Sequence, residues 1–142
     1  MLSTLKVFFG SHLYNLPSAT KPVIGILTTN LKGKHDPYTQ AIVNESRREN
    51  YLTDVFYPSD VSLSADSNGL YFTLRGIKYK KPPFDVVIPR IGSNYNSFEG
   101  TACLKQLELM GIPTINSSQA IINSENKWTT HQILAAHHIP QL

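Results

Sequence analysis

The chain is poor in the residue types that build several whole classes of protein. Of its 142 residues only one is cysteine, Cys103. Neither an internal disulfide nor a multi-cysteine zinc site can form, and a reducing compartment is expected. Charged residues make up only 16%, and the 13 Lys and Arg are scattered, Lys32, Lys34, Arg47, Arg48, Lys78, Lys80 and Lys81 among them. None of these runs is dense enough for a phosphate-backbone stripe, so the formal charge of +3 implies no nucleic-acid partner. Long apolar stretches are missing too. Lys6, His12 and Asn15 interrupt the apolar residues between Met1 and Leu16, which argues against a signal peptide or membrane span and for a cytoplasmic protein. No Gly-x-Gly-x-x-Gly follows the first buried-strand pattern, and no Walker-type phosphate loop occurs. A simple dinucleotide domain or P-loop ATPase is thereby disfavoured.

What is present is an ordinary globular composition, 41% hydrophobic, in a length that suits one core. Residues 1–20 match no element and read as an N-terminal extension; residues 21–142 read as one domain. Val23-Ile24-Gly25-Ile26-Leu27 is a continuous apolar run, the pattern of a strand buried on both faces. Asp36-Pro37 starts a helix, a cap followed by proline at the first helical position. That helix is expected over 37–50, with Tyr38, Ala41 and Ile42 inward. A second strand is expected over 52–56, then a polar, turn-rich stretch over 59–69. A small edge hairpin follows, 70–74 and 77–79 joined across Arg75-Gly76. A strand over 85–88 leads through the loop 93–97 to a helix over 98–110, with Cys103, Leu104, Leu107 and Met110 inward and Lys105 and Glu108 toward water. Gly111 ends it. A short strand over 113–115, a brief helix from Ser117 or Ser118 and a last helix over 125–138, capped by Asn123-Ser124, complete the chain. Strands alternating with helices imply a doubly wound α/β fold with a mainly parallel sheet and a small β-hairpin.

Ligands of such sheets sit beyond the carboxyl ends of the strands, here residues 28–36, 89–99 and 116–118. Arg90 stands out, because a guanidinium pairs with carboxylate or phosphate as a planar fork; the alternative is an arginine tying its loop to a backbone carbonyl. Lys127 lies in the first turn of the last helix, where a cation opposes the dipole by about 0.3–1 kcal/mol. A phosphate beside it would explain the placement, and an exposed lysine on a solvated face is the alternative. Cys103 falls on an apolar helix face without a suitably spaced histidine and reads as core. His131, His137 and His138 lack an accompanying acid, so no metal site is expected. Trp128 reads as a packing residue, with an aromatic beside a nucleotide as the alternative.

Four blocks carry a family resemblance: Phe84-Asp85-Val86-Val87-Ile88-Pro89-Arg90-Ile91-Gly92, Gly100-Thr101-Ala102, Leu104-Lys105-Gln106-Leu107-Glu108-Leu109-Met110-Gly111, and Asn116-Ser117-Ser118-Gln119-Ala120-Ile121. Lys127 and the helix ending at Ile139-Pro140 follow them. Residues 84–142 in this order resemble the N-terminal region of the ATP-grasp ligases related to the ribosomal-protein glutamate ligase RimK. The resemblance implies a Rossmann-like pre-ATP-grasp domain of an enzyme that phosphorylates a carboxylate with ATP and Mg²⁺, after which an amine attacks the acyl phosphate. It implies that Lys127 contributes to the ATP phosphate site, and that Arg90, Ser93, Asn94 and Asn116 are candidates for holding substrate. The implied partners are an ATP-grasp domain, an amino-acid or peptide or protein substrate, and a second copy of the chain, since relatives often assemble. The family continues beyond the point matching Leu142 into a second phosphate-binding lysine, an adenine pocket and acidic Mg²⁺ ligands. The 142 residues alone are therefore expected to be inactive and to bind neither ATP nor Mg²⁺ tightly. A stand-alone binding or regulatory module with the same fold is the alternative. A flavodoxin-like or receiver-like domain is disfavoured, because the first strand lacks paired acids at its end.

Overall fold

A computed structural model of the chain describes residues 6–9, 12–15, 21–29, 36–92 and 97–141. Where no element was expected, β1 (Lys6–Phe9) and β2 (His12–Asn15) pair antiparallel, Val7 opposite Tyr14. Both segments mix aromatic and apolar residues with polar ones, a composition that suits a short ladder.

The apolar run becomes β3 (Val23–Thr28), the middle strand of a parallel sheet. β4 (Leu52–Phe56) lies on one side of it and β8 (Val86–Arg90) on the other, with Ile26 facing Val55 and Ile88 across the ladders. The strand expected over 113–115 shrinks to a parallel bridge between Val87 and Thr114. The Val87 N–H donates to Pro113 O at 2.9 Å and the Ile115 N–H to Val87 O at 3.0 Å. Proline has no N–H to extend that ladder, and Ser117 already caps the next helix.

Between β3 and β4 runs α1 (Pro37–Arg48). Asp36 caps it as expected: its Oδ1 accepts from the N–H groups of Tyr38 and Thr39, both at 2.9 Å. Its buried face differs from the expectation, being Thr39, Val43 and Ser46 rather than Tyr38, Ala41 and Ile42. Those three follow helical i, i+4, i+7 spacing, and burying Thr39 is affordable because its hydroxyl donates to Asp36 Oδ2 at 2.8 Å.

The hairpin exists as β6 (Gly69–Leu74) and β7 (Ile77–Tyr79), turning at Arg75 and Gly76, both with positive φ. It is not an isolated edge feature. β5 (Val61–Asp66), in the segment expected to be turn-rich, adds a third antiparallel strand. Phe72 and Leu74 of β6 belong to the main core with Leu27, Phe56, Phe84, Val87, Cys103, Leu104, Leu107 and Ile112. Phe56 joins the two sheets: it stacks on Phe84 at 5.0 Å between centroids and meets Phe72 edge-on at 6.1 Å. Each such buried ring contributes about 1.5–3 kcal/mol.

The core is closed by α2 (Ser97–Leu109), through Cys103, Leu104 and Leu107, and Gly111 ends this helix with φ +82°. Leu27 points into this cluster. Ile26, one residue out of phase, is fully buried on the opposite face, while α1 packs along β3 and β4. Helices on both faces of a parallel sheet make the doubly wound α/β fold. Glu108 does not face water as expected; its carboxylate accepts from Thr114 and Ser118 and anchors the start of α3 (Ser118–Glu125). The last helix, α4 (Lys127–Ala136), packs on α3 and is capped by Asn126 rather than by Asn123-Ser124.

Candidate functional site

From β3 the chain crosses to β4 on one side and later returns to β8 on the other. The strand order thus reverses at β3 and β8, and the crevice outside the carboxyl ends at such a switch point is where doubly wound sheets take ligands. Thr28 and Arg90 are opposite each other at the end of that ladder. Just beyond, the Gly92 N–H donates to Thr29 Oγ1 at 3.0 Å. The first turns of α2 press against the same point: a Cβ on Gly100 would stand 2.9 Å from Thr29 Cγ2 and 3.1 Å from Ile91 Cγ1.

Arg90 is half-buried in this crevice. Its Nη2 lies 3.6 Å from Asp36 Oδ1, and its guanidinium carbon lies 5.4 Å from the centre of the Tyr38 ring. Its Nε is buried without a hydrogen-bond partner among the described residues, a situation that costs about 1–3 kcal/mol or more for a charged group. Asp36 balances the charge without forming a fork, because both its oxygens already cap α1. Among the described residues no hydrogen bond ties the Arg90 side chain to a backbone carbonyl. Burial alone would raise the Asp36 carboxyl. The Thr39 N–H and hydroxyl, the Arg90 charge and the Tyr38 N–H outweigh it and hold Asp36 below the ordinary carboxylate value.

The remaining sequence candidates scatter. Asn116 is exposed, two residues past the Thr114 bridge, so the parallel pairing carries it to the same carboxyl edge. Ser93 and Asn94 lie outside the described residues. Lys127 is exposed at the first position of α4, where helix N–H groups have no intrahelical acceptor. No contact joins Lys127 to Arg90 among the described residues. Trp128 is 72% exposed and so is not the packing residue that was expected. Cys103 is core, its thiol pushed up to about 12 by burial. The His131 ring bonds to Gln141. Among the described residues no group of three or more His, Cys, Asp or Glu is placed to hold a metal.

Tyr38 is the site residue that sequence reasoning missed, whereas Thr29 falls within the expected segment 28–36. Tyr38 was expected to face inward, yet it is 70% exposed and lies beneath Arg90. Its spacing from Thr39, Val43 and Ser46 was the available signal. Among the described residues no helix is long and apolar enough to cross a membrane.

Residues 23–121 match the family described as the RimK PreATP-grasp domain. The probable alpha-L-glutamate ligase of Xanthomonas axonopodis pv. citri (strain 306) is 36% identical over 101 residues, covering 69% of this chain and 32% of that relative. Its counterpart in Stenotrophomonas maltophilia (strain K279a) is also 36% identical over 101 residues, with the same coverage of each chain. That of Xanthomonas oryzae pv. oryzae (strain MAFF 311018) is 35% identical. The chain thus spans 32% of the length of these curated relatives. The chain belongs to the RimK pre-ATP-grasp domain family.

Proposed function

We propose that this chain serves as the N-terminal domain of an ATP-dependent carboxylate–amine ligase of the glutamate type. The observation that carries the reading is Arg90, whose side-chain Nε has no hydrogen-bond partner among the described residues, at the switch-point crevice of a family domain whose relatives are named glutamate ligases. A guanidinium so placed can hold a substrate carboxylate in a fixed plane. Asn116, on the same edge, offers an amide to the same ligand; Ser93 and Asn94, which follow β8 in sequence, carry the same assignment.

ATP, when bound, supplies the phosphoryl group that turns a carboxylate into an acyl phosphate, which an amine then converts to an amide. Lys127 fits this chemistry as one positive contact for phosphate, set beside the donors of the α4 N-terminus. The Mg²⁺ ligand set is assigned, on the family resemblance, to a further ATP-grasp domain. On this reading the 142 residues position substrate and do not complete phosphoryl transfer by themselves. With its one cysteine unpaired, the chain is assigned to the cytoplasm, where ATP is available, and its amine acceptor to the amino acids, peptides or proteins.

Isothermal titration with Mg·ATP tests the division of labour. The 142-residue chain should bind weakly or not at all. The same residues followed by the remaining two-thirds of a relative should bind tightly and release ADP only when L-glutamate and an amine acceptor are both supplied. Tight ATP binding by the 142 residues alone would overturn the reading.

A further inference from the structure

We infer that Tyr38 and Arg90 together form a receptor for a carboxylate that is held rather than phosphorylated, with Tyr38 as the residue that sets its geometry. The inference deepens the ligase reading and rests on it for the identity of the substrate class, a small amino acid. Three observations converge. The Arg90 guanidinium carbon lies 5.4 Å from the centre of the Tyr38 ring, an attraction that holds the fork against α1. Its Nε is shielded and has no partner among the described residues, which leaves the Nη edge to meet a ligand. Asp36 cannot occupy that edge as a fork, because Tyr38 N–H, Thr39 N–H and Thr39 Oγ1 hold its oxygens while Nη2 stays 3.6 Å away.

The local charges favour an anion. Arg90 contributes one positive charge and Asp36 one negative charge. The N-terminus of α1 adds about half a positive charge. A singly charged carboxylate meets a balance slightly in its favour. A phosphate dianion meets twice the attraction as well as twice the repulsion, so charge alone does not separate the two anions, and it is the ligase reading that names the carboxylate. A carboxylate gripped by a guanidinium also has its lone pairs engaged and its nucleophilicity lowered. The carboxylate held here is therefore the anchoring group of the substrate, and the one that attacks phosphorus is another. Tyr38 is a positioning residue, since it acts through Arg90.

The test uses the 142-residue chain without ATP, so its outcome is independent of whether ligation occurs. The Arg90 side-chain Nε–H signal, identified by its loss in Arg90→Lys, is followed by nuclear magnetic resonance during titration with L-glutamate. A parallel titration uses inorganic phosphate. A saturable shift with L-glutamate, and a weaker one with phosphate, is expected. Tyr38→Leu should weaken L-glutamate binding about two- to fivefold, while Tyr38→Phe, which keeps the ring, should restore it. A shift with phosphate but not with L-glutamate would overturn the carboxylate assignment. No shift with either overturns the receptor, and equal binding by Tyr38→Leu and Tyr38→Phe overturns the role of the ring. If L-glutamate binds here but the longer chain forms no amide, the receptor stands and the ligase reading falls.

Discussion

Glu108 accepts from both the backbone N–H and the hydroxyl of Ser118, each at 2.6 Å, and from Thr114 Oγ1 at 3.0 Å. One side chain on α2 thus secures the strand-like segment beside β8 and caps the start of α3. Hydrogen bonds to a charged acceptor contribute about 1.5–3 kcal/mol each when shielded. Glu108→Gln keeps the shape but removes the charge and turns one end into a donor facing donors. It should cost about 2–3 kcal/mol, read as a lower urea midpoint with an unchanged slope. Ser118→Ala, which removes only the hydroxyl, should cost about 1 kcal/mol. In a double-mutant cycle the pair should be strongly non-additive. Additive losses would show that the two residues do not act on one another.

Stability should fall in acid, and the sign follows from two carboxylates. Burial pushes Glu108 up, but the Ser118 hydroxyl and N–H, the Thr114 hydroxyl and Lys105 together bring it below its ordinary value. Asp36 is depressed in the same way by Thr39, Arg90 and Tyr38 against its own burial. In the unfolded chain these groups take up protons near pH 4, about 3.9 for Asp and 4.3 for Glu. Below that the unfolded state binds more protons than the folded one. The stabilisation is complete above about pH 5 and is lost as pH drops through the folded values. Urea midpoints measured from pH 7 to pH 3 should therefore decline more gently for Glu108→Gln than for the native chain. Parallel declines would mean that Glu108 is not a source of the acid sensitivity.

Where burial and local chemistry point the same way, the sequence was legible. The continuous apolar run 23–27 could only be a buried strand, and Asp36-Pro37 and Gly111 marked helix ends that the structure keeps. β5 was hidden because its residues after Val61 are exposed; pairing with β6, a partner distant in pattern, holds Ser62, Ser64 and Asp66 extended. Tyr38 was hidden for the opposite reason. Aromatic residues usually face inward, but Thr39, Val43 and Ser46 took the buried stripe because Asp36 satisfies the Thr39 hydroxyl. Arg90 was visible as a charged residue after a strand. That its Nε would be orphaned was not, since this depends on Asp36 being committed to α1, which only the folded backbone shows.

Gly100 sets two opposing effects against each other. Within a helix alanine is favoured over glycine by about 1 kcal/mol, so propensity alone has Gly100→Ala stabilise α2. The new methyl would lie 2.9 Å from Thr29 Cγ2, and 3.1 and 3.2 Å from Ile91 side-chain carbons. Both neighbours are β-branched and stiff, and turning Thr29 would pull its Oγ1 away from the Gly92 N–H. Overpacking of this kind costs about 1–3 kcal/mol, which exceeds the propensity gain. Gly100→Ala should therefore destabilise the chain by about 1–2 kcal/mol and displace the segment that follows Arg90. The expected signature is a lowered thermal midpoint together with shifted backbone resonances at Thr29 and Gly92. Gly111→Ala is the control. Nothing lies within 4 Å of its would-be Cβ, and its positive φ of 82° is the only obstacle. It should lose about 1 kcal/mol or slightly more without disturbing Thr29 or Gly92. A stabilised Gly100→Ala would show that α2 can move away from the ends of β3 and β8, and that the crevice does not depend on this close approach.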